Sequence, residues 1–565
     1  MKKTISLLLV ALMLFAFTSC SNENEGKEPS PSATPSTSVP QESDSPTESE
    51  APSTEIKLPI SDEKVTFSMW GCTPQAGADL VTENDSYARQ KLEEITNVHI
   101  EWIHPTIGQE AVQFNLMMTS GNLPDAITST FGYFMGGMDK YIDDQLIVPL
   151  EDYGQYYPNY NEWRSKQDLT LLSTVTDGGH IAGIHQLRVP YQPQWNGPII
   201  REDLLDDIGF SGTPDDIVTL ADWENVLTLF KNYGMKIPYL VTAGSNGLDP
   251  YILAAFGLYT GGFGSVTTGY YQIDNIVHYY PYEDSYRDYL ELMNDWFEKG
   301  LIDGDFFSRD LPTFQAALLS GDVGIGSTFK AQFDYANYSS SEGTHWAGLS
   351  GPVRTKGQKY EALCALTSRM YYQGQVLTIS TTCDEDLIPI ILKYTDYGFT
   401  DEGSLLYNYG IEGQAYDIVD GKILFRDIIT QNPDGFSLNQ TFNKYCVFHS
   451  AVFRYDWTRS ENNISEEAKN LYKIWERNYA EDAEEMPSLS IPEADAATYS
   501  NLFNDIDTYV KEFTMGVITG QTDLDSGWSN YIAQLERMGV QQIIDMQQEA
   551  LDGFYSRDTS LGFPK

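Results

Sequence analysis

The stretch that most limits what this chain can become lies at residues 109–134. It reads Gln-Glu-Ala-Val-Gln-Phe-Asn-Leu-Met-Met-Thr-Ser-Gly-Asn-Leu-Pro-Asp-Ala-Ile-Thr-Ser-Thr-Phe-Gly-Tyr-Phe. Ala111, Phe114, Met117 and Met118 fall at helical spacing and make one apolar face. Gly121 sits where a left-handed helix stop belongs, and Pro124 forbids continuation. Ala126 to Thr130 then read as a short buried strand that opens into the polar and aromatic loop Ser129 to Tyr133. Helix, tight stop, strand and polar loop form one unit of an α/β sheet. In open α/β sheets, ligands sit beyond the carboxyl ends of the strands. The helix and stop are therefore expected to be scaffold, and Ser129 to Tyr133 to face a ligand.

The rest of the chain repeats this logic. Val65 to Trp70 reads as a first strand, Ser86 to Ile95 as a helix and Val98 to His104 as a second strand. Strands alternating with helices at this spacing imply a largely parallel sheet. Tyr191 to Arg201, dense in aromatics and proline before turning apolar, looks like a crossing between lobes, and Ile199 to Leu205 leads into a helix. Thr219 to Phe230 and Tyr282 to Lys299 are amphipathic helices, the second stopped by Gly300. Leu311 to Leu319 followed by Gly321 to Phe329 is again helix, glycine, strand and loop, which implies a second sheet. Tyr371 to Thr381 reads as a strand returning to the first lobe, and Asp386 to Tyr397 as a helix. The C-terminal region is helical, with patterns over Ser465–Tyr479, Tyr499–Val517 and Ser526–Met538.

Composition narrows the class of partner. The chain has 565 residues, 41% of them hydrophobic, and a formal charge of -46. That apolar content supports a real core, and the negative charge argues against nucleic acid, which needs basic patches. The 37 Tyr and 10 Trp fit either a site gripping a polar ring or a large core.

Lys2 and Lys3 precede an apolar run from Leu7 to Phe17 and then Thr18-Ser19-Cys20. A basic start and a short apolar core is an export signal, too short to span a membrane. The small residues before Cys20 resemble a bacterial lipobox, which makes Cys20 the lipid-carrying N-terminus of the mature protein. Residues 21–56 are rich in Ser, Pro, Thr and Glu and hold no aromatic residue, so they read as a disordered tether. At ~3 Å per residue its reach is on the order of 100 Å. A lipid-anchored body on the outer face of a Gram-positive-type envelope is the expected setting. Cys72, Cys364, Cys383 and Cys446 show no metal spacing and are expected as buried free thiols, with one disulfide possible.

Four stretches carry a family resemblance: Gln113-Phe-Asn-Leu-Met-Met-Thr-Ser-Gly-Asn-Leu-Pro-Asp125, Gly197-Pro-Ile-Ile-Arg-Glu-Asp203, Trp296-Phe-Glu-Lys-Gly-Leu-Ile-Asp303 and Tyr409-Gly-Ile-Glu-Gly-Gln-Ala-Tyr416. In that order they resemble the bacterial extracellular solute-binding lipoproteins of the sugar ABC-transporter type, LplA-like and similar to the alginate-binding proteins. The resemblance implies the type 2 periplasmic-binding-protein fold, with two α/β lobes joined by crossing hinge strands and a helical C-terminal region. The expected divisions are a signal peptide at 1–20, a tether at 21–56, and lobe 1 at 57–188 and 366–430. Lobe 2 is expected at 189–365 and, with the C-terminal helices, at 431–565. The alginate-binding relatives carry a calcium loop after the helix corresponding to Thr219–Phe230. Here that position, Phe230 to Pro238, holds no carboxylate, so no metal is expected.

On that fold the ligand contacts are expected from Trp70, Thr130, Phe131, Tyr133, Trp195, Phe329, Glu412 and Tyr416, with Phe453 and Trp457 as further candidates. Aromatic faces cover the apolar faces of sugar rings, and Glu and Thr bond hydroxyls. Arg201 is expected to fix the hinge. Catalysis is not indicated: 81 acidic residues will place some pair at glycosidase distance by chance, and the seven His show no metal spacing. No nucleophile elbow, P-loop or dinucleotide fingerprint is present. The implied role is a monomeric receptor, without cofactor, that captures an oligosaccharide by hinge closure and hands it to permease subunits served by a separate ATPase. An anchored carbohydrate-active enzyme, and a peptide receptor or sensor of the same fold, are the alternatives.

Overall fold

The computed structural model describes residues 55–564, apart from 72–78, 135, 191–192, 242–248, 260–268, 341–342, 364–367, 431–435, 437, 448–450 and 460–463. The expected signal, Cys20, nearly all of the tether, Cys72 and Cys364 lie outside the described residues.

Two sheets, each with its own core, make two lobes. In the first half of the chain the strands begin with β1 (Val65–Trp70), β2 (Val98–Ile103), β3 (Ala126–Thr130), β4 (Ile184–Arg188), β5 (Asn196–Arg201) and β6 (Ile237–Tyr239). They are followed by the hairpin β7 (Tyr270–Ile273) and β8 (Ile276–Tyr279), then β9 (Val323–Phe329), β10 (Trp346–Gly348) and β11 (Tyr360–Ala362). The last are β12 (Tyr372–Ile379), the hairpin β13 (Tyr416–Val419) and β14 (Lys422–Phe425), β15 (Arg454–Tyr455) and β16 (Tyr479–Glu484).

Lobe 1 is a six-stranded sheet in the order β15-β4-β12-β3-β1-β2. β1, β2 and β3 run parallel, and β12 lies antiparallel between β3 and β4. The chain thus leaves lobe 1 after β4 and returns from lobe 2 into the middle of the sheet it left. Lobe 2 is a four-stranded sheet in the order β10-β5-β9-β6. This is the two-lobed type 2 binding-protein architecture expected from the sequence.

The helix-stop-strand unit folds as read. Glu110–Ser120 is helical, Gly121 turns left-handed with φ 67°, and β3 follows. Phe114 and Met118 are buried whereas Ala111 is exposed, so the packed stripe is narrower than the sequence pattern. Asp125, after the proline, ties the unit to its neighbour: its Oδ2 accepts from Ser68 N and Ser68 Oγ, both at 2.7 Å.

Residues 196–201, expected as crossing and helix entry, are instead the central strand β5, because Ile199 and Ile200 pack between layers. Arg201 stands at the far end of that strand from the hinge, paired with Asp203 at 2.6 Å, and secures lobe 2. Residues after 430 return once more to lobe 1, where Phe453, Tyr455 and Trp457 join its core, before the chain leaves for the C-terminal helices. The last of these, Val540–Tyr555, has its own amphipathic pattern, which the sequence reading passed over.

The lobe 2 core is rich in tyrosine, and several of the ring hydroxyls find partners inside it. Tyr239 donates to Asp249, Tyr286 pairs with Thr514 at 2.6 Å, Tyr360 donates to Pro352 O at 2.5 Å and Tyr531 to Pro281 O at 2.8 Å. A buried hydroxyl without a partner costs stability; these rings are core because their oxygens are satisfied. Cys383 and Cys446 are free and buried, as expected. Among the described residues no helix is long and apolar enough to cross a membrane.

Lobe 2 is closed against the C-terminal region at Gly197. A Cβ there would lie 2.2 Å from the Trp475 ring, whose indole nitrogen donates to Pro198 O at 2.9 Å. Gly197→Ala is therefore expected to lower stability by about 1–3 kcal/mol through overpacking, read as a reduced denaturation midpoint at unchanged slope in urea.

Candidate functional site: the rim between two lobes

β1 and β3 run parallel toward one rim of lobe 1, which β3 reaches at Thr130; Trp70, in register with Ile127, stops short of it. β12 starts there because it is antiparallel, and β4 and β15, mutually parallel, end there at Arg188 and Tyr455. In lobe 2 the antiparallel register Asn196↔Phe329 puts the start of β5 beside the end of β9. The connections across residues 189–195, 363–371 and 456–464 link the two rims. The first crossing joins the two rims directly, from Arg188 to Asn196.

The expected residues divide into three groups. Trp195 and Phe329 meet on the lobe 2 rim as a stacked pair, ring centres 5.2 Å apart and planes within 8°. Both are half-buried, so the pair forms an aromatic surface that is fixed and still reachable. Thr130 and Tyr133 lie on the lobe 1 rim: Gln375 donates to Thr130 Oγ1 at 3.2 Å, and the Tyr133 ring packs 5.7 Å from Phe114. Phe131 begins the short turn Phe131–Tyr133 beside them. Burial and nearby Glu110 raise the Tyr133 hydroxyl above its ordinary value, so it stays a neutral donor.

Trp70 is 5% exposed and its ring is taken up against Phe114 at 5.8 Å, inside the lobe 1 core. Glu412 is exposed, and Tyr416 is buried with its ring 5.9 Å from Tyr409. Tyr409 donates to Asp456 Oδ2 at 2.7 Å, which ties this glycine-rich turn to the third crossing. Phe453 and Trp457 are fully buried on the same crossing, and the Lys330 ammonium, next to Phe329, lies 5.7 Å from the Trp457 ring.

Several rim residues carry no sequence signal. Gln375 sits within β12 and is visible only through its register with Thr130. Gln194, just before Trp195, is held by its backbone N–H to Glu476 at 2.6 Å and by its amide nitrogen to Asn196 O at 2.9 Å. Its buried Oε1, like the buried Ser129 Oγ on the opposite rim, meets no protein partner among the described residues. Buried polar atoms without partners are uncommon in folded proteins and mark places where a ligand or water completes the bonding. Ser129 belonged to the loop expected to face a ligand; Gln194 did not stand out. Among the described residues, no group of three or more His, Cys, Asp or Glu is placed to hold a metal ion.

Comparison with known proteins agrees with this fold. No family model matches the chain. The fructooligosaccharide ABC transporter substrate-binding protein FusA of Streptococcus pneumoniae is 23% identical over 532 residues, covering 88% of this chain and 92% of that protein. This chain is related to the ABC-transporter substrate-binding proteins and has their fold. Lipoprotein LipO of Bacillus subtilis is 23% identical over 331 residues, 55% of this chain and 60% of its own. Among solved structures, the alginate-binding protein AlgQ2 without calcium ion superposes with a TM-score of 0.67 at 21% identity, covering 87% of this chain and 99% of that one. FusA in complex with kestose covers 87% and 99% with a TM-score of 0.63 at 19% identity.

The second crossing is held by a buried carboxylate. Glu485 Oε2 accepts from the backbone N–H of Arg369 at 2.8 Å and of Met370 at 3.2 Å. Burial, partly offset by bonding to Ser368, pushes the acid up to about 7 from an ordinary 4.5. A raised folded-state value means that its contribution to stability is complete below pH 4.5 and is lost as pH climbs through 7. Relative to Glu485→Gln, the unaltered protein should lose roughly 3 kcal/mol across that window, at 1.36 kcal/mol per pH unit. Thermal melts of both proteins at half-unit pH steps check the sign.

Proposed function

We propose that this protein is the substrate-binding lipoprotein of an ABC importer and captures a carbohydrate, specifically an oligosaccharide, between its lobes. The observation that carries the reading is the pairing of two unlike rims. Lobe 2 offers the stacked Trp195–Phe329 surface, and lobe 1 faces it with hydrogen-bonding side chains at Ser129, Thr130 and Gln375. A sugar ring has apolar faces and a hydroxyl-bearing edge, so it satisfies both rims only when they approach. Ligand that contacts both lobes stabilises the closed form, and closure follows from that differential binding. Phe131, Tyr133, Glu412 and Tyr416 complete the contact set in this reading, and Trp70 backs it from the core.

The names of related proteins support the ligand class: fructooligosaccharide for FusA, alginate for AlgQ2. They are named as binding proteins, which supports binding without turnover. It works as a monomer, anchored through Cys20 on the extracellular face of the membrane and held off it by residues 21–56. It delivers ligand to permease subunits driven by a separate ATPase. A lipoprotein among its relatives supports the anchor.

The test is binding and product analysis on one sample. Incubation of the purified protein with kestose and a panel of neutral and acidic oligosaccharides should raise the melting temperature for at least one sugar. At 100 times Kd the gain is about 2.7 kcal/mol, and chromatography should recover the sugar intact. New products would make the protein an enzyme. Trp195→Ala should weaken binding of the same sugar roughly 30-fold, as for a buried aromatic anchor worth about 2 kcal/mol, with the apo melting temperature nearly unchanged. Calorimetric titration reads both proteins.

A further inference from the structure

The end of the chain makes a fourth passage between the lobes. The helix Val540–Tyr555 belongs to lobe 2: Leu551 lies in the lobe 2 core, and Gln548 accepts from Val277 N at 2.8 Å and donates to Asn275 O at 3.0 Å. Ten residues on, Leu561 packs on the lobe 1 core. Between them Arg557 bonds Asp177 Oδ1 through Nε at 2.8 Å and Nη2 at 2.7 Å, and donates to Leu172 O at 3.0 Å.

The last residues sit in a groove of lobe 1. Asn161 Nδ2 donates to Gly562 O at 2.7 Å, and the fully buried Arg164 donates to Leu561 O and lies 4.7 Å from the Phe563 ring. A Cβ on Gly154 would come within 2.1 Å of Gly562 O, so the groove admits the tail only because residue 154 is glycine. Without the tail, a buried guanidinium loses an acceptor, which is costly.

The docking site is next to the hinge. The helix Asp168–Ser173, whose Leu172 carbonyl receives Arg557, also carries Thr170, which with Gln167 accepts from Tyr371 N on the second crossing, at 2.9 and 2.8 Å. On the other side of Arg557 lies a cavity of about 250 Å³ between lobe 1 and residues 488–493, lined by Asp139, Lys140, Thr176 and Ser490. The lobes are thus joined at the tail, and beside it the Lys140–Glu493 ion pair, at 3.0 Å, spans the cavity.

We propose that residues 557–563 are a detachable fourth hinge element, a pivot that limits how far the lobes open. The three other crossings run on into strands or helices of both lobes; residues 557–563 are held to lobe 1 by hydrogen bonds, one ion pair and ring packing. The proposal needs no ligand, so it stands apart from the reading of function. Three apo proteins are compared with the full chain: a truncation ending at Ser556, Gly154→Val and Arg557→Ala. Each should keep its helical circular dichroism, show a larger radius of gyration by small-angle X-ray scattering, and exchange the amides of Asp168–Ser173 roughly tenfold faster. Arg557→Ala removes only side-chain contacts and serves if the other two fail to fold. An unchanged radius of gyration in the folded variants overturns the pivot, even with faster exchange, because the tail would then be local packing alone.

Discussion

The structure depends on one topological constraint: the strand that returns from lobe 2 is inserted inside the lobe 1 sheet. β12 bonds to β3 over five successive residue pairs and to β4 on its other edge. A strand added at the edge could peel away, whereas one in the middle cannot leave without opening two ladders. The crossings on either side of it, from β4 outward and into β12, are consequently held close together. Rotation at the crossings is then the least costly motion between lobes, since both sheets stay intact through it. The rims, and any ligand held between them, inherit their geometry from that insertion.

What could be read in the amino-acid sequence was local. Gly121 and Pro124 mark a helix end by backbone chemistry alone, and the helix and strand around them appear where expected. Trp195 and Phe329 are 134 residues apart in number, yet each lies beside a strand end on the same rim, and pairing β5 with β9 brings their rings together. Trp70 also lies at a strand end, but strand position does not tell which face a side chain takes. Phe114, on the following helix, claims that ring for the core.

Other features were invisible for physical reasons. β15 has two residues, too few for any periodicity to show. Gln375 and Glu485 gain meaning only from what lies across from them, in one case a threonine and in the other two backbone amides. The abundance of tyrosine was ambiguous because the ring suits both a sugar face and a core. The hydroxyl partners decide it: rings whose oxygen meets Asp249, Thr514 or a backbone carbonyl inside lobe 2 are scaffold. The half-buried Trp195 and Phe329, which have no hydroxyl to place, stack on the lobe 2 rim instead.

This division of labour extends to the charges of an acidic protein. The net charge of -46 keeps the body soluble and self-repelling. The charges near the hinge are engaged by the fold itself: Glu485 holds the second crossing, Asp456 receives Tyr409, and Lys330 lies against Trp457. At the rims, Ser129, Thr130 and Gln375 on lobe 1 offer hydroxyls and an amide, and Trp195 and Phe329 on lobe 2 offer two stacked rings. Groups of that kind discriminate by shape and hydrogen-bond pattern, and their desolvation cost is small enough for the lobes to close and reopen. A carboxylate in place of Thr130 or Gln375 would have to be stripped of water when the rims close, a cost that one hydrogen bond from a ligand hydroxyl does not return.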